Sequence, residues 1–457
     1  MGFGEALPGS SRVSTSTGIV ITGVAVSLLL VYFWRVWWRL RHIPGPFPGY
    51  LTNFLRVKWV TTKRAHLILQ EMHEKYGEVV RIGPNTVSFS NPQAIPTIYT
   101  ARTGFVKASF YNTLQAYRPN GGALPAVFNT TDENMHKLLK TPIAPLFTPA
   151  NAPAYEGHVD KVLAVLEQKL DSKFLDNHEI FNLGEWLQFF AFDVMAKAIK
   201  EKKEKPSKCE DGADGKTSQG KDFLDRYLEL QQNDPKLPHW APTTWTFSNV
   251  ITGSDSVGTV MRTTMFHLLL YPHTLQKLYQ ELVDAGVSSP YPKYSEVRNL
   301  PYLDACVQEA IRMHPPFALP FERVVPKGGV SILGRHIPEG TDLGGNPYVV
   351  NRHKGTFGGD AEFWRPERWL EKDEAHKRKL EQSVLTFGAG RRVCIGRHIG
   401  ILEVKKIISF LVLTYDIHIV DPERFQVENS WFFFQKGLYA TIRKRPEPTE
   451  HMDRKGA

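Results

Sequence analysis

One cysteine of this chain stands in a loop whose neighbours favour reactive sulfur. Cys394 belongs to the run FGAGRRVCIG, residues 387–396, and a predicted helix from Ile399 to Leu413 follows it. A thiol beside arginines and at a helix N-terminus is expected to have a lowered pKa, because the thiolate is stabilised there. Such a thiolate can serve as the proximal ligand of a haem iron. The alternative is a buried structural cysteine, the usual role of a lone thiol.

A carboxylate and a hydroxyl are adjacent in a second segment, at Asp255 and Ser256. They lie inside a predicted helix from Trp245 to Leu270. A carboxylate followed by a hydroxyl can relay protons to a bound reactant. Gly253 costs helix stability, and we expect it to leave room for a flat ligand against the backbone. The alternative is an ordinary helix whose polar residues face solvent.

A third pair, Glu309 and Arg312, is spaced to lie on one face of a predicted helix from Leu303 to Met313. A later segment, FWRPERW at residues 363–369, supplies Arg368 between this pair and the cysteine loop. Three charges of this kind tolerate burial only when they are fully paired. The alternative is a solvated surface pair of little energetic value.

Taken together, these segments resemble the cytochrome P450 superfamily, the haem-thiolate monooxygenases. Residues 387–396 match its haem-binding signature Phe-x-x-Gly-x-Arg-x-Cys-x-Gly, and Glu309, Arg368 and Cys394 occur in the family's order. The resemblance implies a mainly α fold with small β-sheets, and haem b between the Asp255 helix and the Cys394 loop. It makes Cys394 the axial ligand of the haem iron.

The resemblance also implies roles for other residues. Asp255 and Ser256 would be catalytic proton carriers, and Glu309, Arg312 and Arg368 would form a buried structural network. The remaining expected contacts are Phe387, Gly390, Arg392, Gly396, Arg323, His136 and Lys140 to the haem, and Phe317, Ala318, Leu319 and Phe433 to the substrate.

Three departures from the family pattern are visible. Thr252 and Ser256 replace the usual Ala and Thr of the oxygen-activating motif. Lys140 stands where Arg is usual, and lysine cannot make a two-pronged contact with a haem propionate. The interval after Met195 is several dozen residues too short, and a charged loop, residues 197–221, replaces two helices that roof the family's substrate pocket.

The N-terminal segment predicts a membrane anchor. Residues 13–34 contain no charged side chain, and Arg35, Arg39 and Arg41 follow them. About 20 apolar residues span a bilayer, and the basic flank favours the cytosolic side. We expect residues 1–42 to form a lumenal tail and a single span at about 17–37, in the endoplasmic reticulum membrane. The alternative is a cleaved secretory signal, which would need a basic start and a small-residue cleavage site.

The rest of the chain is expected to be one cytosolic catalytic domain. A proline-rich, non-helical hinge at residues 43–49 precedes a domain at 50–445 and a polar tail at 446–457. Three cysteines in 457 residues are too few for a disulfide framework and indicate a reducing compartment. The net charge of +9 is dispersed and accompanies no nucleic-acid motif, so a membrane surface or an acidic protein explains it better.

The predicted function is oxidation of a lipophilic small molecule with O2. Residues 321–330 and 346–352 resemble fungal microsomal enzymes that tailor secondary metabolites. The chain shows no flavin or dinucleotide fingerprint, so electrons are expected from NADPH–cytochrome P450 reductase, attracted by Arg391, Arg397, Lys405 and Lys406. Two alternatives remain open: a haem-thiolate isomerase or dehydratase, and an impaired haem binder or incomplete gene product that lacks part of the pocket.

Overall fold

A computed structural model describes residues 15–100, 104–117, 121–175, 179–200, 222–371 and 373–446. Its longer helices are α1 (Thr15–Arg39), α4 (Ala65–Tyr76), α6 (Glu133–Ile143), α7 (Glu156–Leu170), α8 (Leu183–Lys200), α9 (Phe223–Asn233), α10 (Ala241–Leu270), α11 (Pro272–Asp284), α13 (Pro301–Met313), α16 (Glu374–Ser383) and α17 (Arg397–Thr414). Shorter ones are α2 (Phe47–Leu51), α3 (Phe54–Thr61), α5 (Ile95–Ile98), α12 (Tyr294–Val297), α14 (Pro347–Val350) and α15 (Lys354–Phe357).

The strands are short and form small sheets. They are β1 (Val79–Gly83), β2 (Thr86–Phe89), β3 (Val106–Lys107), β4 (Ala116–Tyr117), β5 (Ala123–Leu124), β6 (Phe181–Asn182), β7 (Arg323–Val324), β8 (Val330–Ile332), β9 (Arg335–Ile337), β10 (Asp342–Gly345), β11 (Tyr415–Ile419), β12 (Gln426–Asn429), β13 (Phe433–Lys436) and β14 (Tyr439–Lys444). The mainly α fold with small sheets is therefore confirmed.

Helix α1 is long and apolar enough to cross a membrane. Its segment Gly18–Arg39 has a mean hydropathy of 2.1, and none of its most apolar stretch is buried against the rest of the protein. A helix of 25 residues is roughly 38 Å long, which exceeds a hydrocarbon core of about 30 Å.

The proline-rich hinge is only partly non-helical. Residues 47–49 belong to α2, because Pro48 lies in the first helical turn, where its missing N–H is not needed. The preceding residues pack closely on β1. Pro44 accepts a 2.7 Å hydrogen bond from the Arg81 N–H, and a Cβ on Gly45 would stand 2.0 Å from the Arg81 carbonyl oxygen.

Helix α10 runs through the centre of the protein. It packs most extensively against α8 and also contacts α9, α13 and α17. Its side chains Met261, Met265 and Leu268 have no exposed surface. Burial of each contributes roughly 1.5–3 kcal/mol to folding. The core therefore packs α10 against both α8 and α17, the helix that follows the cysteine loop.

The largest sheet has the strand order β1-β2-β10-β7-β3. Strands β1 and β2 form an antiparallel hairpin, with Val79 opposite Phe89. At the other edge, β3 pairs antiparallel with β7, so that Lys107 lies opposite Arg323. This pairing brings together two cations that are far apart in the sequence.

Two predicted segments extend beyond the described residues. Helix α8 continues to Lys200, so residues 197–200 are helical and do not belong to a loop as predicted. The remaining predicted loop residues, 201–221, and the tail residues 447–457 lie outside the described part of the chain.

Candidate active site

The cysteine loop is held by short-range backbone bonds. The N–H of Cys394 donates to the Phe387 carbonyl at 2.8 Å, and the Val393 N–H donates to the Gly390 carbonyl at 3.1 Å. Gly390 has a φ of +63°, and a Cβ there would stand 1.7 Å from the Tyr99 carbonyl oxygen. Only glycine combines this backbone angle with so close an approach.

The Cys394 thiol is exposed and lies just before α17. The protein around it raises the pKa of this thiol by burial, although the N–H groups of Gly396 and Arg397 and the charges of Arg397 and Lys140 lower it. The sulfur is thus open to water while protein surrounds it on most sides. The prediction that the nearby arginines and the helix N-terminus give this thiol a lowered pKa is therefore wrong, because the effect of burial outweighs theirs. A bound metal ion would deprotonate a coordinating thiol by itself.

Four cations gather near this loop, and we call them the cationic cluster: Lys107, Lys140, Arg323 and Arg392. Arg392 donates twice to Glu133 Oε1, at 2.8 and 3.1 Å. Lys140 Nζ donates to the Arg391 carbonyl at 2.6 Å. Arg323 is buried and bonds to the Glu322 carbonyl at 2.9 Å.

Lys107 is the member that the sequence did not indicate. Its side chain is buried, and its ammonium group lies 3.9 Å from the ring centre of Tyr111 and 4.4 Å from that of Phe128. Burial, followed by Arg323 and Arg392, holds the pKa of Lys107 well below its usual value. Within the described ranges no carboxylate lies within ion-pair distance of it. Its ammonium group donates to the Phe128 carbonyl, which does not neutralise the charge. A buried cation without a counter-charge is costly, so this position favours a bound anion.

His136 is also buried near the cluster. Burial, then Arg392 and Lys140, lower the pKa of His136 to about 3. It is therefore neutral at pH 7 and can offer a hydrogen bond to an anion, but no positive charge.

These residues fit a haem. One accessible thiol lies beside the cationic cluster. Among the contacts described above, only one carboxylate, Glu133, pairs with the cluster. A haem binds through an axial ligand to its iron, for which a cysteine thiolate is suitable, and cations favour its two propionates. Phe387 and Gly396 are half-buried beside the thiol, where a flat ring system could contact them.

Asp255 and Ser256 lie on α10 and point in different directions. Asp255 is exposed, and its Oδ1 accepts a 3.0 Å hydrogen bond from Gln188 Nε2 of α8. Ser256 is half-buried, and its hydroxyl donates to the Thr252 carbonyl at 2.6 Å. Gly253 does not make room for a ligand as predicted. Its open side faces Met195, whose Cγ and Sδ would be 3.1 Å from a Cβ at that position.

Glu309, Arg312 and Arg368 are in direct contact and buried. Arg312 Nη2 and Arg368 Nε lie 2.8 and 2.9 Å from Glu309 Oε1. The Trp369 indole N–H and the Arg365 backbone N–H also donate to Glu309 at 3.0 Å each. Burial would raise the pKa of Glu309, but Arg312 and Arg368 hold it below its usual value. A surface pair is therefore excluded for these residues.

The four predicted substrate contacts separate into two groups. Phe317 packs edge-on against Phe128 and Trp431, and Leu319 is half-buried. Ala318 and Phe433 are buried in an apolar cluster with Tyr348, and their contact with the substrate stays a prediction.

The basic surface near the cysteine loop is smaller than predicted. Arg391 and Arg397 are exposed. Lys405 and Lys406 are buried instead, at 2.7 Å from the Arg298 carbonyl and 2.6 Å from Glu156. These two lysines stabilise the packing of α17 and cannot attract another protein.

The chain matches known proteins along most of its length. The family model described as Cytochrome P450 matches residues 44–203 and 190–440. Cytochrome P450 monooxygenase mfmA of Annulohypoxylon moriforme is 60% identical, over 94% of this chain and 97% of its own length. Cytochrome P450 monooxygenase asR2 of Sarocladium schorii is 43% identical, over 93% of this chain and 95% of its own length. Cytochrome P450 monooxygenase pkfB of Emericella nidulans is 44% identical, over 96% of this chain and 98% of its own length.

Those comparisons also bear on the short interval after Met195. The family model matches in two separate stretches, which overlap at residues 190–203. The alignment with mfmA has 500 positions yet covers 94% of this 457-residue chain, which leaves about 70 positions without a residue here. The site geometry agrees with the similarity to named monooxygenases, which extends over nearly the whole chain. This chain therefore belongs to the cytochrome P450 family and is a haem-thiolate monooxygenase.

Proposed function

We propose that this chain oxidises a lipophilic small molecule of a fungal secondary-metabolite pathway, using O2 and electrons from NADPH–cytochrome P450 reductase. The observation that carries the proposal is the accessible Cys394 thiol beside the cationic cluster. The similarity to several fungal monooxygenases supports the same reaction class.

In this proposal Cys394 binds the iron of haem b, and Phe387, Gly390 and Gly396 shape the loop that presents the sulfur. Arg323, Arg392, Lys107 and Lys140 bind the propionates, with a hydrogen bond from neutral His136. Once bound, haem supplies the activation of dioxygen, which no amino-acid side chain can perform. Glu309, Arg312 and Arg368 hold the segment before the cysteine loop in place.

Asp255 and Ser256 deliver protons to the reaction. Because the two side chains point in separate directions on α10, a proton passes between them through water. Phe317 and Leu319 contact the substrate. A proton-delivering pair is of no use to an isomerase or dehydratase that consumes no O2, and this argues for the monooxygenase.

The protein is anchored in the endoplasmic reticulum membrane by α1, with the domain at 50–445 in the cytosol. The apolar length of α1 supports the span, and the arginines at the C-terminal end of α1 and just beyond it support this orientation. Arg391 and Arg397, exposed on the side of the cysteine loop, attract an acidic face of the reductase.

A second candidate function is a haem binder with an incomplete substrate pocket. The roughly 70 alignment positions without a residue favour it, and so do exposed aromatic residues on α8 and α10. Phe189 and Phe192 of α8 are 54% and 48% exposed, and Phe247 of α10 is 51% exposed. Sequencing the transcript across the codons for Met195 to Lys221 distinguishes a genuine short chain from an incomplete one.

The proposed function is tested with the full chain in detergent, loaded with haem and mixed with the reductase. We expect consumption of both NADPH and O2 with a lipophilic substrate. Turnover that proceeds without NADPH and O2 would establish the isomerase instead. Haem uptake with no turnover of any compound from the producing fungus would support the incomplete pocket.

A further inference from the structure

A glutamine on α8 links the proton-carrying carboxylate to a buried cation. Gln188 Nε2 donates to Asp255 Oδ1 at 3.0 Å, and Gln188 Oε1 accepts from Arg262 Nη1 at 2.6 Å. A guanidinium can only donate and a carboxylate can only accept. The orientation of the Gln188 amide is therefore fixed by its two partners.

Two residues without side chains make room for this bridge. A Cβ on Gly258 would stand 2.5 Å from Gln188 Oε1, and one on Gly184 would stand 3.2 Å from Arg262 Cδ. Glycine in the middle of a helix lowers its stability, so Gly258 must have a compensating role. That role is to leave space for the Gln188 amide against α10.

The far end of the bridge is anchored in the core. Arg262 is buried, and among the described residues no carboxylate lies within 4 Å of its guanidinium. Its other partners are neutral: Gln435 Oε1 at 3.3 Å, the Gly184 carbonyl at 3.5 Å and Thr259 Oγ1 at 3.4 Å. Gln435 in turn donates to Thr263 Oγ1 at 2.8 Å. The bridge thus connects exposed Asp255 to a rigid buried network.

We propose that Gln188 is a positioning residue that holds the Asp255 carboxylate for proton delivery, and that Arg262 and Gly258 fix Gln188 in turn. An exposed aspartate otherwise samples several rotamers. A bridge tied to the core restricts it to one side of α10, toward α8. This inference rests on the proposed role of Asp255, and the bridge itself is testable without any turnover.

The bridge is tested first by thermal unfolding of the full chain. The variants are Gln188→Met, Asp255→Asn and the double variant. If the two residues act through one contact, the decrease in Tm of the double variant is smaller than the sum of the single decreases. Additive decreases would overturn the bridge. Glu185→Gln, an exposed change one turn earlier on α8, is the control.

Positioning is then separated from stability by Gln188→Glu. Glutamate still accepts from Arg262 but cannot donate to Asp255, and its charge repels that carboxylate. We expect Tm to be preserved while the peroxide released per NADPH oxidised, which needs no known substrate, rises about two-fold or more. Gly258→Ala should also raise the peroxide released per NADPH oxidised, because the added Cβ displaces the Gln188 amide.

The outcomes distinguish the two levels of the argument. If Asp255→Asn raises peroxide release and Gln188→Glu does not, the positioning role of Gln188 is wrong. If Asp255→Asn itself has no effect on peroxide release, the proton-delivery role of Asp255 fails, whereas a non-additive Tm still supports the bridge. Haem content, measured in every variant, must stay unchanged for the comparison to stand.

Discussion

Gly390 of the cysteine loop lies directly against the backbone of Tyr99: a Cβ on Gly390 would stand 1.7 Å from the Tyr99 carbonyl oxygen. Gly390→Ala must therefore displace either the loop or α5, which precedes Tyr99, and must also adopt a φ of +63°. Each strained backbone angle of this kind costs of order 1–3 kcal/mol. We expect a lower haem content after purification, measured as the ratio of haem absorbance to protein absorbance. Gly359→Ala, where a Cβ meets nothing within 4 Å, is the control and should retain full haem content.

Cys394→Ser should abolish the band at about 450 nm that the ferrous carbon monoxide complex of thiolate-ligated haem shows. Serine offers no comparable soft ligand, although it has nearly the same size. Cys306→Ser is the matched control, because Cys306 is buried on α13 away from the loop. Survival of the band in the Cys394 variant would show that the iron ligand lies elsewhere.

Arg368→Met should destabilise the protein by roughly 3–5 kcal/mol, the cost of removing one partner from a buried ion network. Chemical denaturation measures this change, with exposed Arg378→Met as the control.

The Glu309 carboxylate also predicts a pH dependence of the stability. Its pKa is lower in the folded protein than the 4.5 of an ordinary glutamate, so its stabilising effect is present above pH 4.5 and is lost as the pH falls below that value. Glu309→Gln should remove this part of the acid sensitivity.

Asp255→Asn combined with Ser256→Ala should leave haem content intact but direct more of the consumed NADPH to hydrogen peroxide, because protons reach the reaction slowly. The measurement is peroxide formed per NADPH oxidised in the presence of the reductase. An unchanged ratio would remove the proton-delivery role and favour the isomerase.

Most of the fold and the centre of the site were predictable from sequence, because they depend on local patterns. The hairpin at Val79 to Phe89, the long helix α10 and the cysteine loop all follow from residues close together in the chain. What the sequence could not give depends on contacts between distant segments. Lys107 joins the cationic cluster only because β3 pairs with β7.

The same limit explains the wrong predictions. Lys405 and Lys406 look like surface charges until α7 and the Asp304 region are packed against α17. The sequence predicts space for a ligand at Gly253, whereas α8 fills that space with Met195. In both cases the residue type was informative, but its neighbour came from an element that no local pattern identifies.

The last prediction concerns the pocket roof. With about 70 alignment positions missing, we expect the pocket above the haem to be open to water beside the exposed Phe247 and Ile251 of α10. A series of n-alkyl imidazoles tests this, since the imidazole binds the iron and the alkyl chain probes the wall. In a closed apolar pocket each added CH2 contributes about 0.8 kcal/mol, or about a four-fold tighter Kd. An open pocket should give a much smaller increment. Inserting the corresponding mfmA segment after Met195 should restore the four-fold decrease in Kd per added CH2. If the unmodified chain already shows that four-fold decrease, other segments close the pocket.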